Sequence, residues 1–468
     1  MTRTDAGPEK APVADLVVRS TRVHTGRQEI RAQIAIKDGR ILAVHDLGEQ
    51  VVANRELDLG DQLVIPGLVD THCHFRDPGF TYKEDIASAT RAAASGGVTT
   101  VFDMPNTEPP ITTPDRLREH LDHLDRNSVV DYGHNASAVN PSLIGELAAA
   151  GAAAFKLWMS YDVERTYPHS PATAVTDRAV LYQAFEQVAA TGLPLYVHPT
   201  DHELYNLMSS RAKASWGVAP ASYARSFRLG DSVAFNAAVA TLLEFQRSVG
   251  TRLHVLHLSS VEGIRMVREA KVAGRSVTGE ANPFAMFVTN DWERIEKRGP
   301  FVLGQWVPPA DNLAMWEAIV DGTVDVIGSD HAPHTEEEKL PGWQDMFAAP
   351  SGSPMIADYL RLMLTAVYDG RLTLDRAIEL CCVNPARLVG LAGRKGTIEV
   401  GADADLVVVD VDHIAPIDGS TSLYKCGWSP ADGLVTRGKV QRTFLRGVEI
   451  YREGQVLVDD GFGQPVIG

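Results

Sequence analysis

The chain has 468 residues, of which 44% are hydrophobic and 22% charged, with a formal net charge of −16. A length above that of most single domains predicts one large barrel or sheet plus a smaller unit. The acidic balance excludes the clustered Lys and Arg that a nucleic-acid or anionic-membrane surface needs, and four cysteines without a CxxC pair form no disulfide framework, which fits a reducing cytoplasm.

Met1 to Ala14 is polar, contains Pro8 and Pro12, and lacks an apolar core, so residues 1–14 read as a disordered lead-in rather than a signal or anchor. Residues 15–63 carry short β-branched runs, with Asp38-Gly39-Arg40 as a hairpin turn. The stretch 396–468 reads the same way. The two terminal pieces are expected to pair into one small β-sandwich domain. Between them, over 64–395, strand-like runs alternate with helix-like stretches. The strands are expected at 63–75, 98–105, 129–136, 153–160, 193–198, 252–259, 276–280 and 324–329. The helices are expected at 83–95, 114–124, 177–190, 232–249, 261–273 and 313–321. Further helices at 355–368 and 373–391, stopped near Gly393, return the chain to the β-domain. Eight β/α units predict a TIM (β/α)8 barrel whose functional side chains gather at the C-terminal strand ends, with a doubly wound sheet as the alternative.

Those strand ends carry consistent chemistry. The first run, from Val64 to Arg76, ends in His72 and His74, which share a face because alternate strand residues do. The fourth gives Lys156, the fifth His198, the sixth His257 and the eighth Asp330. Any one of these alone is better read as a packed or hydrogen-bonded core residue. Together, four His, a Lys and an Asp make a metal constellation in which two zinc-like ions can each take imidazoles. Asp330 can bind one of them and also accept a proton from bound water. An ammonium would repel both cations, so Lys156 belongs there only with its charge reversed, for example by carboxylation of a depressed-pKa amine to a carbamate. His254 lies an odd number of positions from His257, faces the other way and reads as structural. His134, His169, His202 and His331 are not needed as ligands, although His202 and His331 lie near enough to the proposed site to stay open.

The motifs Pro66-Gly-Leu-Val-Asp-Thr-His-Cys-His-Phe-Arg76, Gly96-Gly-Val-Thr-Thr100, Phe155-Lys156, His198, His257-Leu-Ser-Ser260 and Gly328-Ser-Asp-His-Ala-Pro-His334, in this order over nearly the whole chain, resemble those of the cyclic amidohydrolases: dihydroorotase, hydantoinase or dihydropyrimidinase, and allantoinase. The resemblance implies a barrel with two divalent metal ions, zinc by expectation, and no organic cofactor. By position, His72, His74 and Asp330 would hold one ion and His198 and His257 the other, with carboxylated Lys156 bridging both. It also implies attack on the ring amide by a metal-bridging hydroxide, with Asp330 carrying the proton to the leaving nitrogen, and, by family habit, a homo-oligomer (dimer or tetramer).

The substrate-selective residues point two ways. Arg76, Asn106 and His334 resemble the trio with which dihydroorotases hold a substrate carboxylate; the alternative for Arg76 is an ion pair with Asp77 or Glu84. Tyr161, five residues after Lys156, resembles the oxyanion-steadying tyrosine of hydantoinases and dihydropyrimidinases, and Asp103-Met-Pro105 and Trp428-Ser-Pro-Ala-Asp-Gly433 also resemble hydantoinase or allantoinase. The segment after strand seven, Glu280-Ala-Asn-Pro-Phe284, lacks the histidine usual in dihydroorotases, and Val307-Pro-Pro-Ala-Asp-Asn312 lacks an expected arginine. The reading leans to dihydroorotase-like chemistry, between dihydroorotate and N-carbamoyl-aspartate in pyrimidine metabolism, with a hydantoin-type ring as the alternative. A non-catalytic scaffold relative would be expected to have lost ligands, yet all six positions are filled. Lys156 speaks against a mononuclear deaminase.

Overall fold

The computed structural model of the chain describes residues 13–162 and 170–466. Residues 1–12 of the expected lead-in, and His169, lie outside them. The first strands are β1 (Ala14–His24), β2 (Glu29–Lys37), β3 (Arg40–His45) and β4 (Ala53–Asp58). Asp38 and Gly39 both take positive φ, 48° and 77°, between the paired residues Lys37 and Arg40. That is the geometry a two-residue hairpin matched to strand twist requires.

The run expected as one strand at 63–75 is two. β5 (Leu63–Pro66) joins the terminal sheet and β6 (Leu68–Cys73) opens the barrel. The chain changes sheets at Gly67, whose N–H donates to Asp405 while that of Leu68 donates to Gly97. A Cβ at Gly67 would sit 2.1 Å from the Thr99 hydroxyl, so no larger residue fits the crossing.

The barrel continues through β7 (Val98–Asp103), β8 (Asp131–Ser137), β9 (Ala154–Trp158), β10 (Leu195–His198), β11 (Leu253–Val255), β12 (Val277–Ala281) and β13 (Val326–Ile327). All eight strands are parallel and adjacent in chain order. A parallel bridge between Cys73 and His331 brings the last strand's exit against the first. Crossover helices include Ile86–Ser95, Pro114–Asn127, Arg178–Thr191, Val261–Val272 and Pro309–Asp321. Leu229–Val249 becomes regular only after Ser232, because Gly230, Asp231 and Ser232 have positive φ. His202–Trp216 and Pro220–Ser226 were not legible; the former buries only Met208 and Ala212, too thin a stripe for periodicity to detect. The helix expected at 373–391 is interrupted by a π turn at Glu379–Val383, just before Pro385, which has no N–H to continue the ladder. No helix among the described residues is long and apolar enough to cross a membrane.

The chain ends in β14 (Leu406–Pro416), β15 (Val435–Leu445), β16 (Val448–Arg452) and β17 (Gln455–Val456). With β1 to β5 they form a nine-stranded sheet, ordered β17-β16-β15-β14-β5-β1-β2-β3 with β4 also on β1. Alternation divides it between two cores. Leu63, Ile65, Val407 and Val409 face the barrel's helical layer, whereas Val64, Leu406 and Val408 join Val18, Ile34, Ile36 and Phe444 in a separate core. Segment 401–404 bonds to Gly39 and Ile41 at the far edge, so the sheet curls around that second core.

Barrel and sheet are tied by a buried ion cluster. Lys395 Nζ lies 2.6 Å from Asp131 on β8, 3.0 Å from Asp403 and 2.7 Å from Asp405, and Arg446 pairs with Asp131 as well. Burial opposes the Lys395 charge, but the three carboxylates overcome it and raise its pKa. Removing the cation strands buried anions, so Lys395→Met is expected to cost about 3–5 kcal/mol, read from the shift of the guanidinium unfolding midpoint. A loss under about 1 kcal/mol would mean that the cluster relaxes without it.

Candidate active site

The C-terminal end of β6 delivers His72 and His74, and both imidazoles are oriented from behind. His72 Nδ1 is 2.8 Å from Glu280 on β12, and His74 Nδ1 is 2.6 Å from the side-chain oxygen of Asn106. With the Nδ1 protons donated there, each Nε2 lone pair points inward, the arrangement that outer partners impose on metal-binding histidines. The two Nε2 atoms converge on Asp330 Oδ1, at 3.2 and 3.5 Å. These three donors lie within 4.8 Å of one another. Asp330, just past β13, has φ of 49°, and its other oxygen accepts from Asn282 at 3.3 Å.

On the opposite wall His198, ending β10, and His257, after β11, meet with Nδ1 and Nε2 2.8 Å apart. The His257 and His72 ring centroids are 6.2 Å apart. Lys156, on β9, is buried between these groups with its Nζ 4.5 Å from the Trp158 ring centre. The six residues predicted at five strand ends thus come together around one cavity.

Burial sets most of the charge states. It pushes His74 down to about 3 and His257 down to about 4, keeping both imidazoles neutral, as a ligand must be. For His72 burial acts in the same direction, but Glu280 and Asp330 outweigh it and raise the pKa. Burial lowers Lys156 to about 7 against the pull of Asp330 and Glu280. For Asp330 burial works upward, yet His72, His74 and His257 hold the carboxyl well below its usual range. Neutral imidazoles at His74 and His257, an ionised carboxylate and a lysine readily made neutral are groups that fit divalent transition-metal ions.

Three supporting residues escape the sequence reading. Glu280 orients His72 and Asn282 holds Asp330; they sit two positions apart at the end of β12, the same alternate-residue signal that marks His72 and His74. Asp70, pushed up to about 6 by burial, accepts from the backbone N–H groups of His72 and Ser329 and so pins β6 to the segment bearing Asp330. His254 does not reach the donors, but its Nε2 lies 3.6 Å from Glu280. His331 accepts from the Met355 N–H outside the donor set, and His202 stacks on Tyr161, centroids 4.2 Å apart.

The substrate-selective candidates separate. Arg76, Asn106 and Tyr161 line the cavity. Arg76 is nevertheless 1% exposed, and its Nε donates to the Pro333 carbonyl at 3.0 Å. His334 is fully buried behind it. Lys83 Nζ lies 3.2 Å from its Nδ1, and its Nε2 lies 2.8 Å from the Ser351 carbonyl, so both ring nitrogens are engaged in the wall. The rest of the cavity combines aromatic and aliphatic side chains, including Trp158, Tyr223, Phe235, Phe284 and Leu303, with polar ones such as Asp162, Thr200, Ser226, Thr289 and Gln305.

Residues 63–450 match the model of the amidohydrolase family. The chain belongs to that family. An L-hydantoinase of Paenarthrobacter aurescens is 34% identical over 461 residues, covering 96% of this chain and 97% of that one. A dihydroorotase of Halobacterium salinarum is 34% identical over 91% of this chain and 97% of its own, and an allantoinase of Streptomyces avermitilis 33% identical over 96% and 98%. The solved L-hydantoinase (dihydropyrimidinase) from Arthrobacter aurescens superposes with a TM-score of 0.91 at 32% identity, covering 97% of this chain and all of that one. This amidohydrolase is a hydrolase of cyclic amides, of the hydantoinase, dihydroorotase and allantoinase group.

Proposed function

We propose that the chain opens the ring of a hydantoin carrying an apolar or aromatic substituent. The observation that carries this reading is the pocket wall. Beyond the polar donor cluster it carries a group of aromatic and aliphatic side chains, Trp158, Tyr223, Phe235, Phe284 and Leu303 among them. Among the described residues the one guanidinium on it is buried, with its Nε bonded to the Pro333 carbonyl. A carboxylate entering such a wall loses hydration without gaining the bidentate partner that would offset the loss. An apolar substituent gains from its burial there. The likeness to L-hydantoinase points the same way.

In this reading His72, His74 and Asp330 would hold one divalent ion, His198 and His257 a second, and Lys156, as a carbamate, would serve both; zinc would suit these nitrogen and oxygen donors. Bound there, the ions supply Lewis acidity, which eases deprotonation of water and polarises the ring carbonyl. The chain's own residues do the rest. Asp330 takes the water's proton and returns it to the departing ring nitrogen. Tyr161, held by its stack on His202, presents its hydroxyl to the developing oxyanion. Glu280 and Asn106 keep the imidazoles aimed. Trp158 and Phe284 close the ring off from solvent on its apolar sides.

Dihydroorotate is the second reading, favoured by Arg76 and Asn106 on the cavity wall and by the likeness to dihydroorotase. The discriminating measurement is kcat/KM of the metal-loaded enzyme on a benzyl-substituted hydantoin, unsubstituted hydantoin, dihydrouracil, allantoin and dihydroorotate. The benzyl compound is expected to exceed dihydroorotate by about 100-fold or more, the scale set by several kcal/mol of unpaired carboxylate burial. A preference for dihydroorotate that collapses in Arg76→Gln would overturn the proposal.

A further inference from the structure

We propose that Asp103, His120 and His134 form a divalent-cation site on the outer face of the barrel wall, separate from the donors around Asp330. Asp103 ends β7 and His134 lies beside it on β8, the two being paired across the strands. Alternation sets their direction. Val101 and Tyr132 face the helical layer, whereas Phe102 faces the barrel interior beside Gly133. Asp103 and His134 therefore project outward, beneath helix Pro114–Asn127. That helix is strongly polar and buries only Leu117, His120 and Leu124. An imidazole on its core-facing stripe, where a leucine would pack at no polar cost, calls for a partner.

The three side chains are buried, at 0%, 2% and 0% exposure for Asp103, His120 and His134. Each offers one donor atom, and these atoms lie within 4.8 Å of one another. Asp103 is prepared as a ligand. Its Oδ1 accepts from the backbone N–H groups of Phe75 and Met104, at 3.0 and 2.9 Å, which leaves Oδ2 directed at His120 Nε2, 3.0 Å away. That separation is close to the ligand-to-ligand distance around a tetrahedral ion with bonds near 2.0–2.1 Å, about 3.3 Å. The His120 and His134 rings meet edge to face, centroids 4.6 Å apart.

The unmet hydrogen-bonding capacity is the independent observation. Among the described residues neither nitrogen of His134 has a hydrogen-bond partner, nor has Nδ1 of His120. A neutral imidazole carries one donor and one acceptor, so a buried histidine with neither used is rare. Burial also holds His134 well below its ordinary pKa, which leaves the ring uncharged and its lone pair available. A cation between Asp103 Oδ2, His120 and His134 uses that lone pair and turns the carboxylate–imidazole contact into shared ligation. Two imidazoles and one carboxylate suit Zn²⁺ or Co²⁺ better than Ca²⁺ or Mg²⁺, which prefer all-oxygen shells. Because Asp103 also holds the N–H of Phe75, the site would brace the turn that follows His74.

The test uses full-length enzyme loaded with stoichiometric zinc and then freed of loose metal. An anomalous-difference map at the zinc edge is expected to show a peak among Asp103, His120 and His134, resolved from any peaks near Asp330. Metal analysis is expected to give about three ions per chain, falling by one in His134→Gln, with the peaks near Asp330 retained. Should His134→Gln fail to fold, the wild-type map decides alone. A wild-type map with no anomalous peak there, water density included, overturns the proposal. So does a peak that appears only at millimolar zinc. A missing peak near Asp330 with this one present would count against the catalytic assignment instead.

Discussion

Lys156→Met is expected to lower kcat/KM by about 10³-fold or more while making the metal-free protein more stable. The loss follows from the lysine's place between the two histidine groups. On the proposed reading a carbamate there would contribute a negative charge and two oxygens as ligands, and several kcal/mol of transition-state stabilisation would depend on the ions being held. Stability moves the other way because an amine buried beside Trp158 titrates near 7, down from an ordinary 10.5. Between those values the unfolded chain binds a proton that the folded one does not. Stability of the metal-free enzyme therefore rises with pH across that window, and the cost of burying the amine is fully present below about pH 7. Methionine, of similar length and uncharged, removes that cost, so the gain in Tm should be largest near neutrality and shrink toward pH 10. A variant that loses activity together with stability would indicate a collapsed site rather than a missing ligand. The same titration governs loading. Only the neutral amine attacks carbon dioxide, so recovery of activity when metal-free enzyme receives bicarbonate and zinc should slow as pH falls below about 7. Recovery that does not depend on bicarbonate would remove the carbamate from the scheme.

Much of this site was legible because barrel topology turns a one-dimensional pattern into a three-dimensional one. Once eight apolar runs are accepted as parallel strands, His72, His74, Lys156, His198, His257 and Asp330 fall at one end with no further assumption. The residues that could not be read act at a remove. His334 matches a substrate-binding motif, yet Lys83 and Ser351, 251 residues before it and 17 after, occupy both its nitrogens. Glu280 was visible as an acid at a strand end, but its pairing with His72 spans 208 residues. His134 was read only as not needed among the ligands and His120 was not singled out, because their partnership crosses from a helix to a strand, where neither period applies. The division at Gly67 was hidden for a different reason. Leu63 to Val69 is one continuous apolar run, and nothing in it marks the residue at which the chain passes from one sheet to the other. The lean toward dihydroorotate came from residue types alone. The burial of Arg76, which decides whether its guanidinium is available, is a property of the fold.

Asp330→Asn separates proton transfer from ion binding, since the amide keeps one oxygen for a ligand but cannot carry a proton; its NH2 takes the place of the oxygen that accepts from Asn282. Loss of 10²- to 10⁴-fold in kcat is the range expected for removing a positioned acid–base group. Bound metal should fall by less than one ion per chain, because His72 and His74 stay fixed by Glu280 and Asn106. In the wild type the carboxyl is ionised throughout the neutral range, held there by His72, His74 and His257, so it is ready to accept a proton from water. It must then give that proton to a ring nitrogen, which leaves poorly as an anion. An aryl ester releases a stable phenolate and needs no such protonation. The variant's deficit on 4-nitrophenyl acetate should therefore be smaller than its deficit on the hydantoin, by about a factor of ten or more. Equal deficits on the two substrates would confine Asp330 to the first half of the reaction. Retention of more than a tenth of wild-type kcat on the hydantoin would remove it from proton transfer altogether.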